Sequence, residues 1–567
     1  MLARWLLINM KCRKRFQQKY KELKFKKIAQ ISIIMAIVGL GLNLSQVKAE
    51  VEPAQKDKPY GGTLVWGTAN RPTIINPILT NRSVSASLME LIFNKLVRLN
   101  HKGEIEPDLA ESWEVSDDGL TYTFYLKKGV RFHDGVECNA EDVKFTYERI
   151  VDPKVNSAYR ANYQLVEKWE VLDKYTLRII LKKPFAFFLY KLDREIAPKH
   201  LLENIDLDNT KFNYHPIGTG PFKFKEWHRD DTIVLVANED YFEGRPYLDR
   251  IVIKTYPDAS QLWAALMRGE VDYMEFLEQK DYEIVKTDPT FKTYAIPVDY
   301  YFAIAYNLED KILSDRRVRY AIAYVINRKE LIQRVAGGYG KECLGPFYPE
   351  SEFFYEGIEP FEYNPQRAKV LLSEADWQDI DNDGILEKNG EELGLKILVD
   401  ERYDIFKKIT MLIRQQLQEV GIKVTVILFN NKSQLTSEFL ESKRPQMCLI
   451  YGFANRLVPY EAAMDWCSIF KIKAGRLWKY RNRDVDRFFE SGQITKDKQK
   501  RKKMYKKIHQ LIYTDQPACF LYFPVHFHAI SSRFEGIDDF FCLNMPYYMI
   551  KEWYIKKGKE VKWNGDN

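Results

Sequence analysis

Apolar and polar residues alternate over 121–126, the period-2 pattern of a strand that is buried on one face. Turn residues at 117–119 precede this run, so it is predicted to form a hairpin with the segment before the turn. Asn139 follows, and Asp142 stands three residues later, which is the arrangement of a helix capping box. A helix is therefore predicted over 143–150.

A chain of 567 residues exceeds what one hydrophobic core usually holds, so two or three domains are expected. Helical spacing over 405–420 followed by a strand pattern over 422–428 indicates an α/β lobe. The buried run 517–525, PACFLYFPV, is predicted to be a strand that returns to the first lobe. The glycine-rich sequence 215–222, HPIGTGPF, lies between two predicted strands. It lacks the helix that a phosphate-binding loop needs, so we interpret it as a crossing between lobes.

The first 49 residues have a composition of their own. They hold 11 Lys and Arg and one acidic residue, so the net charge of +7 becomes −3 without them. The basic excess therefore gives little support to nucleic-acid binding. A basic stretch, an apolar stretch over 28–44 and the small residues Val47 and Ala49 form the parts of a secretory signal. We expect cleavage after Ala49 and a periplasmic protein without a lipid anchor, with retention of the leader as a membrane anchor as the alternative.

The stretch 107–150 contains an ordered set of short sequences: P-x-L-A-x-S-W, D-G-x-x-Y-x-F-x-L, G-V-x-F-H-D-G and A-E-D-V. Further along, G-T-G-P-F at 218–222 and A-x-x-x-G-E-V-D at 265–272 follow. In these sequences the chain resembles the family 5 extracytoplasmic solute-binding proteins of oligopeptide and dipeptide ABC importers. The resemblance covers nearly all of 60–550.

This resemblance implies an α/β fold, namely the two-lobed periplasmic-binding-protein fold of class II type with an extra subdomain inserted in the first lobe. It also implies capture of a small solute by lobe closure and delivery to an ABC permease in the inner membrane. We expect a monomer that needs no cofactor and binds no nucleic acid. The expected solute is an oligopeptide, with a sugar, another polar solute or nickel as alternatives. The implied divisions are a signal peptide 1–49, a first lobe from 50–93, 191–298 and 522–567, an inserted subdomain 94–190 and a second lobe 299–521.

The resemblance also points to a ligand site. In peptide-binding relatives, an Asp near the segment 451–459 anchors the α-amino group of the peptide, and here Asn455 takes its place. A neutral amide loses the charge-assisted part of that contact, and the neighbouring Arg456 opposes an ammonium group, so a sugar or acidic solute becomes more plausible. An alignment shifted to Glu461 or Asp465 would weaken this argument. The predicted ligand-binding residues are Asn81, Arg82, Ser83, Tyr159, Phe453, Asn455, Arg456, Tyr522 and Phe523.

Other patterns could hold metals or disulfides. Asp379, Asp381 and Asp383 precede a glycine like the start of a calcium loop, but the Glu that completes such a loop is missing from its position. A plain acidic turn is favoured, and any calcium there would be structural. His526 and His528 could be two ligands on one strand face, with no third ligand evident. The six Cys after the leader could pair or remain buried thiols.

A secreted hydrolase is the alternative function class, since many carboxylates could pair. The sequence carries no nucleophile elbow, no HExxH and no evident Ser/His/Asp set. The resemblance therefore favours a receptor without catalytic activity.

Overall fold

The computed structural model describes residues 58–80, 83–228, 232–441, 446–454, 458–469, 480–542 and 545–559. The predicted leader and the predicted site residues Asn81, Arg82, Asn455 and Arg456 lie outside these ranges. Within them, no helix combines the length and the apolar character needed to cross a membrane.

A seven-stranded mixed sheet organises the first lobe. A buried ion pair joins its elements: Arg533 contacts both carboxylate oxygens of Asp272, at 2.9 and 2.6 Å, and Asp272 also accepts the Val65 N–H at 2.9 Å. Asp272, the last residue of the family sequence 265–272, is therefore structural. In spatial order the strands are Phe291–Pro297, Val525–Ser531, Tyr273–Leu277, Thr63–Thr68, Arg250–Thr255, Ile233–Ala237 and Phe222–Trp227. Helices in the segments around this sheet are Ser83–Ile92, Lys199–Leu202, Ala259–Met267 and Gln279–Val285, with short 3₁₀ turns at Lys211–Asn213 and Tyr547–Glu552.

A six-stranded mixed sheet organises the second lobe. Its helices follow the amphipathic pattern; the helix Asp404–Gln418 buries Ile409, Ile413 and Leu417, which recur at helical spacing. In spatial order the strands are Lys341–Glu342, Ala518–Phe523, Tyr300–Tyr306, Met447–Phe453, Gly394–Asp400 and Lys423–Phe429. The other helices are Arg316–Val325, Arg328–Val335, Pro365–Glu374, Lys432–Glu441, Pro459–Met464, Arg483–Ile494 and Lys498–Asp515.

The signature stretch folds as predicted into an antiparallel hairpin and a helix. Trp113 lies opposite Phe124 in the hairpin. At the helix, the Asn139 side chain accepts the Glu141 N–H and the Asp142 carboxylate accepts the Asn139 N–H, both at 2.9 Å, which confirms the capping box. The strands of this sheet are Ala110–Val115, Thr121–Leu126, Thr176–Leu181 and Val166–Asp173, and its helices are Ala140–Val151, Arg160–Tyr163 and Phe188–Lys191.

Three two-stranded ladders complete the described strands: Val97–Leu99 with Ile105–Pro107, Glu387–Lys388 with Glu391–Glu392, and Phe534–Glu535 with Tyr554–Ile555. The first of these ladders precedes the four-stranded sheet in the chain. A buried carboxylate, that of Asp108, holds the segment between them in place. Asp108 accepts the Asn94 side-chain amide and the Lys95 N–H, both at 2.7 Å. Burial raises the pKa of Asp108 to about 6, although Arg98 and these hydrogen bonds oppose the shift.

Two chain segments connect the two large sheets. The first is Val298–Asp299, and the second is Pro524. The Val298 N–H donates to the Pro524 carbonyl at 3.2 Å, so the two segments run side by side. Proline has no N–H to donate to a ladder, which interrupts the pairing where the sheets separate.

The run 517–525 does not return to the first lobe, and this prediction is wrong. Its strand, Ala518–Phe523, pairs with Tyr300–Tyr306 inside the six-stranded sheet. The chain reaches the seven-stranded sheet one strand later, with Val525–Ser531.

The glycines of 215–222 are also not a crossing between lobes. The Gly220 N–H donates to the Ile92 carbonyl at 2.8 Å, at the end of the helix Ser83–Ile92. A Cβ on Gly220 would lie 2.5 Å from the Ile92 carbonyl carbon and 2.7 Å from its oxygen. These glycines therefore allow two backbones of the first lobe to touch.

We predict that Gly220→Ala lowers the free energy of unfolding by roughly 1–3 kcal/mol, because the added methyl group forces two backbones apart. Urea unfolding measures this change. Gly394→Ala is the matched control, since a Cβ there meets its nearest atom at 3.9 Å. Equal stability of the two variants would contradict the packing role.

Candidate functional site

Aromatic side chains surround the two connecting segments. The Tyr300 hydroxyl lies 3.2 Å from His526 Nε2, and the ring of Phe276 stands edge-on to the His526 ring at 4.8 Å between centroids. Phe276 has a φ of 58°, a left-handed conformation that is strained for this residue type. Phe276, Tyr451 and Phe453 are exposed by 40%, 38% and 59%. Exposed aromatic rings beside the point where two lobes join offer contact area to a solute.

A buried polar group lies beside this aromatic set. Glu275 accepts the hydroxyls of Tyr273, at 2.9 Å, and Tyr547, at 2.6 Å. Burial raises the pKa of Glu275 to about 7, against the effect of these two hydrogen bonds. The Tyr273 hydroxyl also lies 3.3 Å from His528 Nδ1, and when it donates its proton to Glu275 it can accept a hydrogen bond from Nδ1–H.

His526 and His528, the two possible metal ligands in the sequence, are each in contact with a tyrosine. Burial lowers the pKa of His526 to about 4, and burial together with His526 lowers that of His528 to about 3. Both imidazoles are therefore neutral near pH 7.

The structure places Tyr159 near Ile78, a few residues before the predicted site residues Asn81 and Arg82 in the sequence. Its ring lies under the buried Arg194 guanidinium, 3.9 Å from the ring centroid. Two residues earlier, the Ser157 hydroxyl donates to the Ile78 carbonyl at 2.7 Å. The predicted site residue Ser83 begins the helix Ser83–Ile92. The ligand role of both remains a prediction.

Tyr522 and Phe523 are fully buried. The Tyr522 ring packs 5.2 Å from Phe302, and the Phe523 ring packs 4.4 Å from Tyr348. Their packing places both in the hydrophobic core, whereas Phe453 is accessible. Their role in lining a pocket also remains a prediction.

The acidic turn gains a fourth carboxylate that the calcium pattern did not identify. Oxygens of Asp379, Asp381, Asp383 and Glu387 lie within 4.8 Å of one another. Glu387 belongs to the strand Glu387–Lys388, which pairs with Glu391–Glu392. The three Asp are exposed and their carboxylates accept backbone N–H groups of the same turn, which is the geometry of an acidic turn.

Residues 186–191 contact the second lobe, and no sequence pattern indicated these contacts. Lys191 pairs with Glu461 at 2.9 Å, and the Phe187 ring stacks on Tyr460 at 5.5 Å between centroids. The Ala186 N–H donates to a second-lobe carbonyl at 2.6 Å. The residues of the first two contacts lie about 270 positions apart along the chain, and no local pattern reveals such a pair.

Two lobes, two side-by-side connections and accessible aromatic rings at the junction define a two-lobed solute-binding protein. Comparisons with known proteins agree. The family described as bacterial extracellular solute-binding proteins, family 5 Middle, matches residues 104–469. The chain belongs to this family. Members are binding receptors, so the chain is a solute receptor and not an enzyme, which excludes the hydrolase alternative.

Individual relatives match along nearly the whole chain. The oligopeptide-binding protein AppA of Bacillus subtilis (strain 168) is 31% identical over 550 residues, covering 94% of this chain and 99% of its own. Heme-binding protein A of Haemophilus influenzae is 28% identical and covers 90% and 95%. The solved structure of AppA with a nonapeptide has 30% identity, a TM-score of 0.69 and coverage of 88% and 100%. NikZ from Campylobacter jejuni with Ni(L-His) has 26% identity, a TM-score of 0.70 and coverage of 87% and 99%.

We predict that His528 makes stability depend on pH. Unfolded His binds a proton below pH about 6.5, whereas folded His528 stays neutral until about pH 3, so acid favours unfolding. The stabilising effect is complete above pH 6.5 and is lost as the pH falls below it. Between pH 7 and 5, the free energy of unfolding of wild type should fall by roughly 2 kcal/mol more than that of His528→Asn.

Urea unfolding at both pH values measures this difference. His228→Asn, at an exposed position, is the control and should behave like wild type. The same pH response in wild type and His528→Asn would show that His528 is not held neutral.

Proposed function

We propose that this protein is an extracytoplasmic receptor that captures oligopeptides between its lobes and delivers them to an ABC permease. The exposure of Phe453 at the junction of the lobes is the observation that carries the proposal. Similarity at 31% identity to an oligopeptide-binding protein over 94% of the chain supports the solute class.

In this proposal, closure is a rotation about Val298–Asp299 and Pro524. Few backbone dihedrals change there, and each sheet moves as one body. Aromatic rings beside the hinge cover apolar parts of the peptide, while polar groups of both lobes contact its backbone. The Lys191–Glu461 pair adds a contact between the lobes that needs no solute.

Export by the leader is part of the same proposal. Cleavage after Ala49 gives a mature protein that starts at Glu50, and N-terminal sequencing of the exported protein tests this. A protein that still starts in 1–49 would instead be anchored by its leader. The divisions at 93/94, 190/191 and 298/299 are proposed with it. The last division moves from 521/522 to Pro524, because the strand Ala518–Phe523 pairs within the six-stranded sheet.

The solute class is tested by thermal unfolding with unblocked oligopeptides, glutathione, heme, an oligosaccharide and Ni²⁺. A solute at a hundred times its Kd adds about 2.7 kcal/mol to the free energy of unfolding, which is a measurable shift. Stabilisation by peptides supports the proposal. Stabilisation by one of the other solutes alone would replace the peptide with that solute.

We predict that Phe453→Ala weakens binding of the stabilising peptide by roughly tenfold, because a stacked ring contributes about 0.5–1.5 kcal/mol beyond its area. The unfolding temperature without peptide should not change, since the ring is 59% exposed. Ile380→Ala, at a position 67% exposed on the acidic turn, is the matched control. Unchanged peptide affinity in Phe453→Ala, measured by calorimetry, would place the site elsewhere.

A further inference from the structure

The helix Lys498–Asp515 of the second lobe carries a dense positive charge. Seven of the ten residues over 498–507 are Lys or Arg, and none is acidic. Lysines stand four positions apart at 498 and 502, at 502 and 506, and at 503 and 507. Like charges at this spacing repel one another on a helix, and the positive end of the helix dipole disfavours cations in the first turn. Residues that oppose local stability in this way are expected at functional surfaces.

Three of these lysines, Lys500, Lys503 and Lys507, form what we call the lysine stripe. Their spacing of three and four residues places them on one face of the helix, and all three are exposed. Tyr505 and Ile508 on the opposite face are buried, so packing holds the stripe towards solvent. At about 1.5 Å per residue the stripe is about 10 Å long. This length is close to the Debye length of about 8–10 Å at physiological salt, so its charges act together.

The lysine stripe keeps a net positive charge. Glu352 pairs with Lys498 at 3.2 Å, and Glu356 pairs with Lys506, but both of these lysines lie off the stripe. Asp497 is the acid next to the stripe, and its carboxylate accepts two backbone N–H groups of the first turn, at 2.8 and 3.0 Å. Within the described ranges, no ion pair joins a carboxylate to the three lysines of the stripe.

The rest of the molecule has the opposite charge. Without residues 1–49 the chain has a net charge of −3, so an anionic surface repels the exported protein as a whole and attracts it only through a local basic patch. An apolar side chain lies beside this patch. Ile494 is 53% exposed, and the next residue, Thr495, contacts Met504 of the helix at 3.8 Å between Oγ1 and Sδ. Exposed apolar groups next to lysines are typical of surfaces that lie against a membrane.

The choice of cation indicates what kind of anion fits. Arg501 is the one arginine of 498–507, and it is occupied within the protein: its guanidinium donates to the Thr495 carbonyl at 2.7 Å and lies 5.1 Å from the centre of the Phe187 ring. The exposed stripe contains lysines alone. Lysine acts as a flexible point charge, whereas defined carboxylate partners are matched by the planar fork of arginine. A layer of mobile headgroups therefore fits the stripe better than a defined acidic protein surface.

We propose that the lysine stripe binds the anionic headgroups of a phospholipid membrane and holds the receptor against the surface in which its permease lies. The attraction is electrostatic and acts between ammonium and phosphate groups. It needs no solute and no lobe closure, so it goes beyond the proposed function. A receptor held in this way reaches the permease by diffusion along the membrane.

Co-sedimentation of the exported protein with vesicles tests this proposal. One set of vesicles consists of phosphatidylcholine, and the other of phosphatidylcholine and phosphatidylglycerol in equal parts. At about 50 mM NaCl, wild type should bind the anionic vesicles at least roughly tenfold more tightly than the neutral ones, and about 500 mM NaCl should abolish this preference.

The combined variant Lys500→Gln, Lys503→Gln and Lys507→Gln removes the stripe. Its affinity for the anionic vesicles should fall by roughly tenfold to a hundredfold, because each lysine contributes separately to the attraction. Its unfolding temperature should equal or exceed that of wild type, because repulsion between like charges is removed. Its stabilisation by peptides should match that of wild type, so this proposal and the proposed function can fail separately.

The matched control is Lys369→Gln, Lys396→Gln and Lys408→Gln, which removes the same charge from three exposed lysines elsewhere in the second lobe. It should bind the anionic vesicles like wild type. Equal loss in both combined variants would assign the attraction to overall charge and contradict the stripe. Failure of wild type to bind the anionic vesicles, or equal binding to the neutral ones, would overturn the proposal, as would unchanged binding in the variant that lacks the stripe.

Discussion

The hydrogen bond between Val298 and Pro524 marks the constraint on which the rest of the structure depends. The strands before and after each of these two segments belong to different sheets. The chain therefore passes from one sheet to the other at two neighbouring places. Proline ends the ladder on one side because it cannot donate. Two large bodies are thereby connected along the chain by a narrow pair of segments, and this pair is the hinge of the proposed closure.

The groups around the hinge follow from that arrangement. The junction of the two sheets leaves the rings of Phe276 and Phe453 accessible near the ends of their strands, Tyr273–Leu277 and Met447–Phe453. Closer to the core, the Tyr273 hydroxyl contacts both Glu275 and His528, so these buried polar side chains share a hydrogen-bond partner.

Sequence reasoning succeeded where the determinants are local. The hairpin around Phe124 and the capping box of Asn139 depend on residues within a few positions of one another, and both formed as predicted. It failed where the partner is distant: the strand Ala518–Phe523 is assigned to its sheet by Tyr300–Tyr306, more than two hundred residues earlier. The role of Gly220 was predicted wrongly for the same reason, because its contact Ile92 is distant in the sequence and no local pattern identifies it.

The site shows the same division. A family pattern pointed to Tyr159 and Phe453, whereas the Lys191–Glu461 contact depends on packing between the lobes. A carboxylate in a sequence carries no sign of whether a partner will reach it. Only the fold shows that the Glu461 carboxylate pairs with the Lys191 ammonium group, 270 positions away.

The central claim is that two lobes close on a solute about the Val298–Pro524 hinge. Small-angle X-ray scattering of the exported protein, with and without a saturating peptide, tests it most directly. The account predicts a smaller radius of gyration with peptide at unchanged molecular mass. Identical scattering curves for a peptide that calorimetry shows to be bound would contradict closure.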